Sequence, residues 1–106
     1  MDGTTRRRST KGEYVRIRIR GPLAIALGRE VEVPYQDGMS IGDVYRWLVE
    51  EYSEKASEAG VYPALKDLFS QNLILVNGVE ISALEGRETR IKPGDDIIII
   101  NYTHGG

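Results

Sequence analysis

Four consecutive isoleucines, Ile97-Ile98-Ile99-Ile100, follow a Lys92-Pro93-Gly94-Asp95 turn signal. Proline presets the φ of one central position of a type II turn, and glycine supplies the positive φ of the next. An unbroken apolar run bounded this way predicts a central strand with both faces at least partly covered. The rest of the chain must therefore supply strands on either side of it and a layer above it.

Tyr14 to Arg20 alternates strictly, with Val15, Ile17 and Ile19 against Arg16, Arg18 and Arg20. Period two with β-branched residues predicts a strand buried on one face. Arg29-Glu30-Val31-Glu32-Val33 is a second alternating run, stopped by Pro34. Paired as a hairpin, the two place Val31 and Val33 over the core and Glu30 and Glu32 near the arginines. Opposite charges across a strand pair contribute about 0.2–1 kcal/mol each. The arginine stripe thus reads first as sheet-surface pairing. The connection Gly21-Pro22-Leu23-Ala24-Ile25-Ala26-Leu27-Gly28 is unusually apolar. It either continues the strands as buried chain or exposes Leu23, Ile25 and Leu27 as a partner-binding patch.

Ser40-Ile41-Gly42-Asp43 fits the capping box, and Ile41, Val44, Tyr45, Leu48, Val49 and Tyr52 recur at helical spacing. Trp47 lies beside that stripe and reads as a packing residue. The polar stretch from Ser53 to Gly60 is expected to end the helix. Pro63 to Phe69 predicts a short second helix with proline in its first turn. Leu73-Ile74-Leu75-Val76, Asn77-Gly78, Val79-Glu80-Ile81 is a hairpin signal, since Asn-Gly tolerates both positive φ angles of a type I′ turn. The order is strand, strand, helix, short helix, hairpin, turn, central strand. That predicts an α+β fold, one mixed sheet covered on one face by one main helix.

The chain has 106 residues, enough for one compact domain, and an ordinary globular balance of 41% hydrophobic and 28% charged residues. It has no cysteine and one histidine, His104. Disulfide scaffolds, cysteine-bound zinc, iron–sulfur sites and thiol nucleophiles are thereby excluded. The sequence contains no phosphate loop, GxGxxG, HExxH or EF-hand pattern. Asp95 and Asp96 are neighbours that strand geometry would point to opposite faces, so they serve a turn rather than acid–base work. No metal site is expected, and an enzyme with its own active site is the least favoured class. The longest apolar stretch, Leu23–Leu27, is far shorter than the roughly 20 residues of a membrane span. The chain is read as soluble, cytoplasmic and monomeric on its own.

The net charge of −2 conceals an asymmetry. Residues 1–20 carry seven basic residues against two acids, and residues 21–106 carry seven against fourteen. Residues 1–12 are polar apart from Met1 and are expected to form a disordered basic tail. The domain is expected over 13–102. After Tyr102, Thr103-His104-Gly105-Gly106 are expected to form a flexible carrier tail. Four extended residues span roughly 13–14 Å, and glycines without Cβ pass a narrow channel. The terminal carboxyl, with a reference pKa of about 3.3–3.7, is ionised and unreactive at neutral pH. Such a tail needs a partner to activate it.

The segment order and three stretches resemble the β-grasp ubiquitin-like sulfur carriers and modifiers. That group includes the small subunit of molybdopterin synthase, the thiamine sulfur carrier, the ubiquitin-related modifier and the archaeal ubiquitin-like modifiers. The stretches are Gly28–Val33 leading into Ser40–Val44, then Leu75-Val76-Asn77-Gly78-Val79, then Lys92–Asp96 with the isoleucine strand and Gly105-Gly106. The His-Gly-Gly ending is closer to the ubiquitin-related modifier than to the molybdopterin synthase subunit.

The resemblance implies a ubiquitin-like β-grasp fold and a function at Gly106. An adenylating enzyme of the ubiquitin-activating type would activate the Gly106 carboxylate with ATP and magnesium. A sulfur donor would convert it to a thiocarboxylate for molybdopterin synthesis or tRNA thiolation, or the glycine would be joined to a lysine of a target protein. No cofactor is bound by the chain itself. The molybdopterin synthase large subunit or a tRNA thiolase would receive the sulfur. The isoleucines on the uncovered sheet face, Ile97/Ile99 or Ile98/Ile100, would dock the partner; Ile98 and Ile100 with Tyr102 are the assigned set. Two other readings stand beside this one. One is a non-catalytic module binding through the 23–27 loop and sheet face. The other is an RNA-binding domain using Arg6–Lys11 and Arg16, Arg18 and Arg20.

Overall fold

The computed structural model describes residues 12–101. Strand β1 (Tyr14–Arg20) pairs antiparallel with β2 (Glu30–Pro34) on one side and parallel with β5 (Ile97–Asn101) on the other. β5 also pairs antiparallel with β3 (Asn72–Val76), which carries β4 (Val79–Glu80) at its far edge. The order β2-β1-β5-β3-β4 makes a mixed five-stranded sheet with the isoleucine strand in the middle, as its unbroken apolar run predicts.

One face of the sheet is dry. Val15, Ile17 and Ile19 of β1, Val31 and Val33 of β2, Ile74 and Val76 of β3, and Ile97 and Ile99 of β5 are all buried. Helix α2 (Ile41–Glu58) supplies the covering layer with Ile41, Val44, Leu48 and Ala56. Its start is the predicted capping box. Ser40 Oγ accepts from the Asp43 N–H at 3.3 Å, and the Asp43 carboxylate accepts from the Ser40 N–H at 2.9 Å. That backbone donor, helped by the Arg46 guanidinium, holds the Asp43 carboxyl below its ordinary value of 3.8.

The helix runs past Ser53, where the polar stretch was expected to end it. Leu48, Tyr52 and Ala56 continue one stripe at i, i+4 and i+8, and Ala56 is fully buried. A small residue carried the stripe. The helix ends at a Schellman motif: Val61 N–H donates to Ala56 O at 2.8 Å, Gly60 N–H donates to Ser57 O at 3.1 Å, and Gly60 takes φ +76°.

The apolar connection after β1 is a single helical turn, α1 (Ala24–Leu27). Leu23 and Leu27, four apart on one face, are fully and almost fully buried, while Ile25 is 72% exposed. The expected patch of Leu23, Ile25 and Leu27 is corrected accordingly. Helical spacing sends two of the three into the core and leaves only Ile25 outside.

The expected helix over 63–69 is two short turns, α3 (Tyr62–Lys66) and α4 (Leu68–Gln71), broken at Asp67. The break leaves helix carbonyls to satisfy, and Asn72 does so: its Nδ2 donates to Ala64 O and Leu68 O, both at 3.0 Å. The Asn77-Gly78 turn has φ of 52° and 84°, the type I′ pair. Ile81, expected in the strand, instead opens a 3₁₀ turn (Ile81–Ala83) that keeps its side chain buried.

Candidate functional site: the outer sheet face and the exit of β5

Side chains alternate across a strand, so burying Ile97 and Ile99 puts Ile98 and Ile100 on the outer face. The register then builds two rows. Arg18, Ile98 and Leu75 lie side by side across β1, β5 and β3, and Arg20, Ile100 and Leu73 form the next row. The result is a four-residue apolar strip, Ile98, Ile100, Leu73 and Leu75, bordered by arginines. Leu73 is 37% exposed and the other three are half-buried.

The arginines differ in what they hold. Arg16 Nε lies 2.7 Å from Glu30 and its Nη2 lies 3.8 Å from Glu32, which is the cross-strand pairing predicted from the alternation. Arg18 Nη2 lies 2.8 Å from Asp96. Arg20 has no carboxylate partner among the described residues; it donates to the carbonyls of Ile19 at 2.9 Å and Arg29 at 3.3 Å. The guanidinium nearest the end of β5 is therefore the one left to meet an acidic group from elsewhere. The stripe as a whole is largely neutralised, which argues against a phosphate-binding face.

β5 ends in a polar knot. Asn101 continues the buried phase of Ile97 and Ile99, is 9% exposed, and sits opposite Asn72 in the register. Its Nδ2 donates to Gln71 O at 2.8 Å. The Oδ1 atoms of Asn72 and Asn101 are buried and have no hydrogen-bond partner among the described residues. Gly21 lies directly against this residue: a Cβ there would come within 3.0 Å of Asn101 Cβ and 3.1 Å of Asn101 O, and its φ is +102°. The position of Asn101 at the end of β5 is thus held by Gly21, Gln71 and Asn72.

Sequence reasoning missed Leu73, Leu75 and Arg20 as parts of one face, and missed the asparagine pair and Gly21. The phase of residues 72–76 carried the leucines, and a polar residue in the buried phase of β5 was the signal for Asn101. Ile25 stands apart on α1. Tyr102, Thr103, His104, Gly105, Gly106 and the basic segment 1–11 lie outside the described residues. Among the described residues, no three His, Cys, Asp or Glu side chains gather as a metal site, and no helix is long and apolar enough to cross a membrane.

The small archaeal modifier protein 1 from Methanosarcina acetivorans is similar in structure, with 26% identity, a TM-score of 0.64, and coverage of 90% of this chain and 98% of that one. The Haloferax volcanii HVO 2177 protein matches with a TM-score of 0.66 at 20% identity, covering 94% and 92% of the two chains. Urm1 from Trypanosoma brucei shares the fold at 16% identity, with a TM-score of 0.57 and coverage of 92% and 99%. No curated protein matches the sequence. The sheet of mixed strands under one main helix is therefore the ubiquitin-like β-grasp fold. The ThiS family model matches residues 17–106, from the first strand through the final glycine, and the chain belongs to that family.

Proposed function

We propose that this protein is a carrier whose chemistry takes place on the carboxylate of Gly106. An ionised carboxylate is a poor electrophile, so a partner must activate it. In an adenylating enzyme, a Gly106 carboxylate oxygen would attack the α-phosphorus of ATP and displace pyrophosphate. Hydrosulfide released by a sulfur donor would then attack the acyl carbon and displace AMP, leaving a thiocarboxylate; a lysine amine attacking the same carbon, with loss of AMP and a proton, would leave an isopeptide. ATP, magnesium and the reactive sulfur belong to the partners, and this chain has no cysteine of its own. The thiocarboxylate would serve molybdopterin synthesis or tRNA thiolation.

The observation that carries this reading is the extent of the family match, which runs through Gly105 and Gly106. The geometry supports it. The buried anchor at Asn101 gives the tail a fixed root, and the strip of Ile98, Ile100, Leu73 and Leu75 beside that root offers apolar area to a partner. Arg20, without a carboxylate of its own among the described residues, favours a partner that brings an acid to that edge.

The test is activation of the full chain and of a chain lacking Gly106 by an adenylating enzyme with ATP and a sulfur source, followed by intact mass. The full chain is expected to gain the mass difference of sulfur for oxygen, or to form larger covalent species. The truncated chain is expected to form neither while unfolding at the same urea concentration. A truncated chain that still forms an ATP-dependent product overturns the proposal.

A further inference from the structure

A second surface lies on the helix side of the molecule and shares no residue with the outer sheet face. It is a groove of about 500 Å³ between the β2–α2 connection and the first half of α2. Pro34, Met39 and Trp47 give it apolar area, and Asp37, Asp43 and Glu50 line it with carboxylates. Arg46, the one cation lining it, is engaged by Asp43. Asp37 and Glu50 have no cationic partner among the described residues. Arg90 Nη1 borders the groove beside Gly38, yet carboxylates still outnumber guanidinium groups, and the groove presents net negative charge beside the half-buried ring of Trp47.

The start of the described chain is beside this groove. Tyr14 sits opposite Pro34 in the register, and Tyr35 N–H donates to Glu13 O at 2.9 Å. Residues 12 and 13 thus run alongside 34–36, and Pro34 and Gln36 both line the groove. The segment that precedes them carries Arg6, Arg7, Arg8 and Lys11 against the single acid Asp2. Arg8 is four residues from Gly12, a reach of roughly 13–14 Å when extended, and Arg6 reaches roughly 20 Å.

We propose that the basic segment 1–11 docks in this groove of its own chain, with guanidinium groups against Asp37, Glu50 and the face of Trp47. Arginine over an indole ring is a favourable pairing, strengthened when the cation is partly desolvated. Tethering at the groove's edge gives an effective concentration on the order of millimolar for a short linker. Contacts too weak to hold separate molecules are populated under that condition. The proposal gives the four basic residues of segment 1–11 acidic partners within the chain. It is independent of the function proposed for Gly106, because the groove shares no residue with the outer sheet face. A phosphate backbone is disfavoured as the occupant because the lining carboxylates would repel it.

Trp47 is the only tryptophan, so its fluorescence reports on the groove alone. The full chain would be compared with a chain beginning at Gly12 and with the full-length triple variant Arg6→Ser, Arg7→Ser, Arg8→Ser. Acrylamide, a neutral quencher, would be used at about 20 mM and about 500 mM salt, conditions that bracket weak and strong screening. At low salt the full chain is expected to be quenched about half as efficiently as either variant, with the difference lost at high salt as ionic contacts are screened. A synthetic peptide of residues 1–11 is expected to restore protection to the chain beginning at Gly12, and Glu50→Lys in the full chain is expected to abolish it. Equal quenching of all three proteins at both salt concentrations overturns the proposal. Protection that rises with protein concentration also overturns it, assigning the groove to a second copy instead.

Discussion

Asn77 clasps Asp95 across the two turns that frame the β-grasp sheet: Asn77 Nδ2 donates to Asp95 Oδ1 at 3.1 Å. The clasp is reciprocal, because Asn77 Oδ1 accepts from the Asp96 N–H at 2.9 Å. A turn residue of the β3–β4 hairpin thereby fixes the turn that launches the central strand. Burial works against the charge on Asp95, but the Asn77 amide, the Lys92 N–H at 2.8 Å and the Lys92 ammonium outweigh it and hold the carboxyl below its ordinary 3.8. A carboxyl depressed in the folded state contributes stability that is complete above the unfolded value and is lost as pH falls through the folded one. Asp95→Asn is therefore expected to lose about 1.5 kcal/mol near neutral pH, the low end for a hydrogen bond to a charged group. Its urea midpoint should also fall less than that of the parent protein between pH 4 and lower pH. Acid titration curves that fall with the same slope for the two proteins would mean that this carboxylate carries none of the pH dependence.

The root of β5 makes a sharper demand. Gly21 combines φ +102° with a Cβ position 3.0 Å from the Asn101 side chain, so alanine there meets both backbone strain and a blocked space. Gly21→Ala is expected to cost about 2 kcal/mol, the middle of the range for a strained position. The amide resonance of Asn101 should shift with it. Gly78 has φ +84° and nothing within 4 Å of its Cβ position. Gly78→Ala should therefore be destabilised by less than Gly21→Ala and leave Asn101 unmoved. Equal losses at the two glycines would mean that contact with Asn101 contributes nothing.

Much of this architecture was legible where local chemistry and tertiary burial agree. The isoleucine run behind Pro93-Gly94, the Asn77-Gly78 turn, the Ser40–Asp43 box and the β1 alternation each name one conformation, and each was adopted. What stayed hidden has physical causes. Leu23-Ala24-Ile25-Ala26-Leu27 has alternating large residues, which suits a strand, yet its ends are also four apart, which suits one helical turn; the core beneath decides. The continuation of α2 rests on Ala56, whose burial a small side chain does not advertise. The outer face needs the pairing of β3 with β5, a non-local fact, before Leu73 and Leu75 can be seen beside Ile100 and Ile98. The family was legible in the motifs, whereas the residues framing the tail root were not.

Two residues of α1, Leu27 and Ile25, provide a direct check on that correction. Leu27 is 6% exposed within the core and Ile25 is 72% exposed. Leu27→Ala is expected to cost about 2–4 kcal/mol through lost burial and a residual cavity. Ile25→Ala should stay within about 0.5 kcal/mol, as for a surface substitution away from special features. Urea denaturation of the two variants measures both. A large loss at Ile25 with none at Leu27 would reverse the assignment of faces.

The outer face can be separated from the fold that carries it. Leu73 is the most exposed member of its strip and, among the described residues, Arg20 holds only carbonyls, so neither substitution removes a core contact or an ion pair among those residues. Leu73→Lys and Arg20→Glu are each expected to change stability by less than about 1 kcal/mol. If this face receives the adenylating partner, each should weaken that encounter by roughly tenfold to thirtyfold, the effect of a central interface residue worth about 1.4–2 kcal/mol. The loss should appear in the KM for this protein as substrate, with kcat little changed, because neither side chain takes part in the chemistry proposed for Gly106. Ile25→Ser, on α1, should leave the KM where it was. An unchanged KM for Leu73→Lys and Arg20→Glu together with a raised one for Ile25→Ser would move the docking surface from the strands to the α1 turn.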